Sequence, residues 1–223
     1  MAFTYFFRDQ QPLERAINYL LPSIISSSHV QIWSAGSAMG PEPYTIAILI
    51  RERLGHHQFR NIRIIATDID ISNNFGKTIT AGRYPTSDLQ RLPPDIYERY
   101  FSPDPDAPEF STISSELRAS VEFRRHDLLT YEPVSTGVKL IVCKNVLLHF
   151  TDEERIRVLT MFHQALSDDG ILLHEHTQKM PAEMDGMFEQ VFTDAQIFRN
   201  TRLQDKYSPF RQAGCSLRFL RKI

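Results

Sequence analysis

Two stretches of the chain, Ile62-Arg63-Ile64-Ile65-Ala66 and Leu140-Ile141-Val142, are nearly continuous in aliphatic residues instead of alternating apolar with polar. A strand with one wet face alternates, whereas a strand covered by helices on both faces does not. These segments therefore predict the central strands of a parallel α/β sheet. Strand-length apolar runs at Val30–Ala35, Ile62–Ile69, Val138–Cys143 and Gly170–His174 are separated by helical patterns at Tyr44–Leu54 and Asp152–Leu166, the rhythm such a sheet requires. The second helix has a legible start. Thr151 stands at the N-cap, Asp152, Glu153 and Glu154 fill the first turn, and Ile156, Leu159, Phe162 and Leu166 follow at helical spacing. Asp168-Asp169-Gly170 is expected to stop it, and Trp33, on the first strand, to be core.

A chain of 223 residues with 42% hydrophobic content can bury one sizeable core and is short for two, so one domain over residues 1–223 is expected. Its 25 basic and 27 acidic residues leave a net charge of −2, too little to attract nucleic acid or anionic lipid. Cys143 and Cys215 form neither a disulfide framework nor a metal-ligand spacing, and no basic-then-apolar leader opens the chain. No apolar run approaches the roughly 20 residues that cross a bilayer. The expectation is a reduced, cytoplasmic protein without membrane insertion or a nucleic-acid partner. From Pro85 to Val121 the rhythm breaks. Asp88–Tyr100 reads as one short helix or two, and the proline-rich stretch after it as a small excursion from the sheet. In the tail, Met187–Phe198 and Ser216–Leu220 compete for the final antiparallel strands.

The turn after the first strand carries the first chemical signal. In IWSAGSAMGPEPYTIAILI, Gly36 and Gly40 are spaced G-x-x-x-G, not G-x-G-x-x-G, and no P-loop lysine follows. Glu42 would repel a phosphate but attract an ammonium or sulfonium, which favours S-adenosylmethionine. The second strand ends Ala66-Thr67-Asp68-Ile69-Asp70, where an acid can accept hydrogen bonds from both ribose hydroxyls. Taken singly, each feature also reads as a tight strand-to-helix turn or an Asp cap; together they point to a site.

In this order the segments IWSAGSAMGPEPYTIAILI, ATDID, AGRY, ELRASVEFRRHDLL and LIVCKNVLLHF, preceded by Thr4-Tyr5-Phe6-Phe7-Arg8, resemble the CheR chemotaxis methyltransferases, from about Phe3 to Gln178. The resemblance implies a class I methyltransferase (Rossmann-like) seven-stranded, mainly parallel sheet with a small inserted β-subdomain at about residues 102–120. It also implies S-adenosylmethionine as cofactor and methylation of glutamate carboxylates on a protein substrate, a chemoreceptor cytoplasmic region being the candidate. On this resemblance Ala35 and Glu42 contact the methionine part, Asp68 the ribose, and Asp127-Leu128 and Asn145 the adenine side. Thr4, Gly36, Ile69 and Val146 complete the cofactor set. The residues agree with much of this. Asp127 follows a strand-like Val121-Glu122-Phe123 and Asn145 ends the Leu140–Cys143 run, so both fall at the carboxyl rim, although an Asx turn explains either one alone.

A glutamate acceptor, with a reference pKa of about 4.3, is ionised near neutrality and needs alignment more than a base. Arg8 is the candidate to orient it with a planar fork. His149 stands where the family usually has Tyr, and a core or capping role suits it equally. Pro41 replaces an acid beside Glu42, Lys144 replaces Arg, and Glu175-His176-Thr177-Gln178 replaces Gly-His-Ser-Glu. Only Met1–Phe3 precedes the first motif, so the family's helical N-terminal domain is expected to be absent. These departures leave a rival, a catalytically weak module that binds S-adenosylmethionine or S-adenosylhomocysteine and signals through a partner. A nicotinamide-dependent oxidoreductase is disfavoured by the missing G-x-G-x-x-G and by Glu42. His174 and His176 lack a third ligand, so no metal is expected. Tyr97, Tyr100, Phe101 and Phe110 suit either a peptide-binding patch or a miniature core.

Overall fold

The computed structural model describes residues 4–175 and 179–201. The chain opens with α1 (Gln10–Ile25) and runs through β1 (Val30–Ala35), α2 (Pro41–Phe59), β2 (Ile62–Asp68) and α3 (Phe75–Ala81). A detour follows through β3 (Arg83–Pro85), α4 (Pro94–Tyr100), β4 (Phe101–Asp104), β5 (Ala107–Ile113) and α5 (Ser115–Ser120). The chain returns with β6 (Val121–Arg125), β7 (Val138–Cys143), α6 (Asp152–Ala165), β8 (Leu166–His174), β9 (Phe188–Phe192) and β10 (Ala195–Asn200).

Seven strands form one sheet in the order β6-β2-β1-β7-β8-β10-β9. The first five pair in parallel, and β10 runs antiparallel to both β8 and β9. The continuous apolar runs behave as strands with two dry faces. Ile32, Leu140, Val142, Ile171 and Leu173 pack against Leu13, Ile17 and Leu20 of α1 and Ile46 and Ile50 of α2. Their sequence neighbours Trp33, Ile141, Cys143 and Leu172 face the other way, against Val158, Leu159 and Phe162 of α6. Trp33 and Phe162, both fully buried, meet edge to face with ring centroids 5.2 Å apart. Helix α6 starts as its sequence dictates. Thr151 accepts the Glu154 N–H at 3.3 Å while Glu154 accepts the Thr151 N–H at 2.9 Å, a capping box.

The structure departs from expectation where local signals were weak. α1 carries Pro22 inside it, has no acid in its first turn, and starts at Asp9, which is left-handed (φ 51°) and makes no side-chain cap. Only its buried stripe, Leu13, Ala16, Ile17, Leu20 and Ile24, makes it a helix worth keeping. α6 ends at Ala165, and Asp168-Asp169-Gly170 lies within β8 at a register irregularity against β7, with Asp169 bonded to Lys139 at 2.7 Å. Asp88–Tyr100 divides between a 3-10 turn at Thr86–Leu89 and α4. A second, three-stranded sheet, order β3-β5-β4, takes residues from Arg83 to Ile113, so it begins ahead of residue 102 and closes before 120. The aromatic residues of this excursion are engaged within the fold. Tyr97 stacks on Phe101 at 5.9 Å, Tyr100 is buried and donates to Glu52, and Phe110 lies under the Arg83 guanidinium. The tail strands β9 and β10 come from the 187–200 region, and Ser216–Leu220 lies outside the described residues. No helix among the described residues is long and apolar enough to cross a membrane.

Because Phe162 fills the layer between α6 and Trp33, Phe162→Ala should lower stability by about 3–5 kcal/mol. Urea unfolding measures it. A loss below about 1 kcal/mol would mean that the sheet and α6 close over the missing ring, contrary to a tightly packed layer.

Candidate functional site

The turn between β1 and α2 is built by backbone hydrogen bonds to the neighbouring strand. Gly36 and Ser37 both donate to the Thr67 carbonyl, at 2.8 and 2.9 Å. Gly36 has φ 83°, and a Cβ there would fall 2.2 Å from Val146 Cγ2. The glycine thus lets the turn after β1 approach the turn after β7. Asp68 ends β2 and holds this turn in place. Its Oδ2 accepts the N–H of Ala38, itself left-handed, at 2.9 Å, and its Oδ1 accepts that of Asp70 at 3.2 Å. Glu42, in the first turn of α2, accepts the Ser34 hydroxyl at 2.7 Å.

The segment from Thr4 to Asp9 crosses the front of this turn as a strap. Phe6 is buried edge-on between Tyr84 and Phe101 at 5.0 and 5.4 Å, which ties the strap to the small sheet. The Phe7 N–H donates to Thr45 Oγ1 at 3.0 Å. Lys144, with a side chain only 7% exposed, donates to Asp9 Oδ2 at 2.6 Å, and the Arg8 guanidinium lies 3.8 Å from the same oxygen.

Between strap and turn lies a cavity of about 450 Å³ whose walls include Thr4, Arg8, Gly36, Glu42, Asp68, Asn145, Val146 and His149. A second of about 210 Å³ is lined by Ile69, Asp127 and Leu128, and shares Gly36, Asp68 and Val146 with the first. Every candidate residue except Ala35 therefore lines one connected crevice. Ala35 is fully buried beneath the turn, in the core on the α6 side of the sheet. Sequence reasoning missed Asp9, Thr45, Leu148, His126 and Phe150, which also line these walls. Thr45 was within reach, one helical turn after Pro41, whose carbonyl its hydroxyl also bonds. Asp127 accepts the Leu129 N–H at 2.9 Å, so it caps a 3-10 turn as well as lining the pocket.

Burial sets the electrostatics. Glu42 lines the cavity, and desolvation pushes its carboxyl up to about 7; the Ser34 hydrogen bond and Lys144 pull it back less than burial raises it. At the end of β8, burial raises Glu175 and lowers His174 to about 4. The His174 ring is stacked on Phe198. The Cys143 thiol is pushed up by burial first and then by Glu175 and Glu42. Among the described residues no group of three His, Cys, Asp or Glu side chains is arranged to hold a metal ion, and His176 lies outside them.

Glu42 should therefore titrate near neutrality, and Lys144→Met should move its midpoint up, because removing a nearby cation removes stabilisation of the carboxylate. Carbon-detected NMR of the Glu42 carboxyl, assigned with Glu42→Gln, measures both. An unshifted carboxylate, or a midpoint that falls in Lys144→Met, would contradict this electrostatic account.

Comparison with known proteins places this chain in a family. Residues 2–197 match the family model described as CheR methyltransferase, SAM binding domain. The chain is 31% identical over 183 residues to a chemotaxis protein methyltransferase of Borreliella burgdorferi, covering 78% of this chain and 63% of that protein. It is 32% identical over 177 residues to chemotaxis protein methyltransferase 1 of Pseudomonas aeruginosa, covering 76% of this chain and again 63% of the relative. A solved TehB-like SAM-dependent methyltransferase from Corynebacterium glutamicum covers 85% of this chain and 88% of its own at 15% identity, with a TM-score of 0.47. With its family model matched from residue 2 to residue 197, the chain belongs to the CheR methyltransferases and carries their S-adenosylmethionine-binding domain.

Proposed function

We propose that the protein is a cytoplasmic, S-adenosylmethionine-dependent methyltransferase that esterifies glutamate carboxylates of a protein substrate, a chemoreceptor cytoplasmic region being the candidate. The observation that carries this reading is the pairing of Glu42 and Arg8 in the walls of one cavity. An acid there suits the cationic end of the cofactor, and a guanidinium suits an anionic acceptor. The residues fit the cofactor in other respects. Asp68 uses one lone pair of each oxygen on the turn and keeps acceptor capacity for ribose hydroxyls. Ile69, Asp127 and Leu128 offer a partly apolar slot for the base. When bound, the cofactor supplies an electrophilic methyl group on a sulfonium.

The chain's own residues then position the acceptor. Arg8 orients the carboxylate with a fork that a lysine would lack. Lys144 holds Asp9, which keeps the strap and with it Arg8 against the cavity. The acceptor is already ionised, so no group must remove a proton. His149 lines the same cavity, where the family resemblance leads one to expect a tyrosine. That observation favours a second reading, a weakly active module that binds the cofactor or its demethylated product; turnover with radiolabelled cofactor separates the two.

Asp68→Asn should weaken binding of S-adenosylhomocysteine by about tenfold or more, because a charged acceptor toward two hydroxyls is lost. Calorimetry on the folded protein measures this, and no binding by the wild type would sink the cofactor assignment. Arg8→Ala should cut methyl transfer about a hundredfold while leaving cofactor affinity within about threefold, as expected of a residue that aligns the acceptor. The reverse pattern, with affinity lost and turnover per bound cofactor kept, would remove Arg8 from the acceptor side.

A further inference from the structure

On the far side of the Asp9–Lys144 pair is a third cavity, of about 590 Å³. It shares Arg8, Asp9, Lys144 and Asn145 with the 450 Å³ cavity, whereas the adenine-side pocket shares Gly36, Asp68 and Val146 with it. The three lie in a row along the carboxyl rim, and the third ends against β8 and β10, at Glu175 and Asp194. Two of the charge pairs in its wall are internally satisfied. Arg15 meets Asp194 at 2.8 Å and Lys144 meets Asp9 at 2.6 Å.

Glu175 is different. It is 4% exposed, and among the described residues neither carboxyl oxygen has a hydrogen bond of good geometry; His174 beside it is 3% exposed, with both ring nitrogens likewise without one. The N–H groups of Glu175 itself, Leu148 and Asn145 lie close to the carboxyl without forming well-aligned hydrogen bonds, and together with the Arg155 guanidinium they offset its burial only in part. An enclosed carboxyl without a partner is costly, and a donor arriving with a ligand repays that cost.

We propose that this cavity is a substrate subsite for a basic side chain, above all a guanidinium, carried by the same protein segment that presents the acceptor carboxylate, with Glu175 as its partner. The proposal rests on the methyl-transfer reading of the adjoining cavity. An ionised carboxylate accepts only, and two oxygens that keep free lone pairs match the two parallel N–H groups of a guanidinium. A segment bearing one acid and one base would be sorted by charge: the acid toward Arg8, the base toward Glu175. A second acid in this cavity would instead face Glu175, Asp9 and Asp194.

The test uses helical peptides with one glutamate and an arginine placed at successive positions on either side, each matched by a norleucine version. Methyl transfer and calorimetric binding to the protein loaded with S-adenosylhomocysteine are both read. In one register arginine should improve kcat/KM by about tenfold over norleucine, mostly through KM, as a charge-assisted pair would. Glu175→Gln should bring that ratio close to one, and Glu175→Asp should keep part of it. Equal arginine and norleucine peptides in every register and both readouts would overturn the subsite, as would a preference that survives in Glu175→Gln. Transfer without any arginine preference sinks the subsite and leaves the proposed function standing. Glu175-dependent arginine binding without any transfer sinks the methyltransferase reading and keeps the subsite.

Discussion

The site exists because β1 is flanked by β2 on one side and β7 on the other. The chain winds outward from β1 through β2 to β6, then begins again at β7 and winds the other way. Loops leaving β1 and β7 therefore diverge, and a crevice opens between them at the carboxyl ends of the strands. Everything chemical in this molecule hangs on that reversal. Gly36 brings the first loop to within van der Waals reach of Val146 in the second, and Asp68, from the strand on the other side of β1, fastens the first loop by its backbone. The crevice is thereby fixed before any ligand enters, which lowers the ordering cost of binding.

Into this frame the chain places two carboxyls that burial largely strips of water. Glu42 and Glu175 stand near the end of β7, and among the described residues neither forms an ion pair, whereas the exposed Asp9 beside them pairs with Lys144. A carboxyl in a cavity wall is held partly toward its neutral form by burial and is drawn to ionise when a cation arrives. Such groups favour cationic ligands over neutral ones, and the preference grows as water is displaced. The same physics explains the thiol of Cys143, which is shielded by burial and by two acids from becoming a thiolate. It is a packing residue of the core.

Much of this architecture could be read in the chain because the central strands are dry on both faces. Val138–Cys143 and Val30–Ala35 have the limits that their apolar runs set, and Thr151 with Glu154 announced α6. What stayed hidden depended on contacts between distant segments. α1 is a helix through its buried stripe and not through its caps. Residues 168–170 look like a helix stop, yet they lie inside β8, in the irregularity between Leu166 and Ile171, whose pairing with Val138 and Leu140 of β7 fixes the strand on either side of them. Of the cofactor-side candidates, Gly36, Glu42 and Asp68 were legible from a glycine turn, a helix start and a strand end, and Thr4, Ile69, Leu128 and Val146 only through the family resemblance. Asp9 and Leu148 were not, since nothing near either in sequence says that it faces a cavity. Ala35 stands in the same motif with its side chain buried under the turn, so any contact it makes with a ligand runs through its backbone.

The strap is where these levels meet. Phe7 and Asp9 both have positive φ, 59° and 51°, conformations that cost non-glycine residues on the order of 1 kcal/mol each. They persist because the strap is held at three points that share no sequence neighbourhood: Phe6 in the small sheet, Phe7 on Thr45 of α2, and Asp9 on Lys144 after β7. Between the two strained residues sits Arg8, on the boundary between the 450 Å³ and 590 Å³ cavities. Its position is therefore set by packing in the small sheet as much as by the sheet that forms the crevice. On the role proposed for Arg8, a substitution at Phe6 would act on acceptor alignment by releasing one of the three ties, so the three-stranded sheet would bear on the reaction through a phenylalanine that does not itself line the cavity.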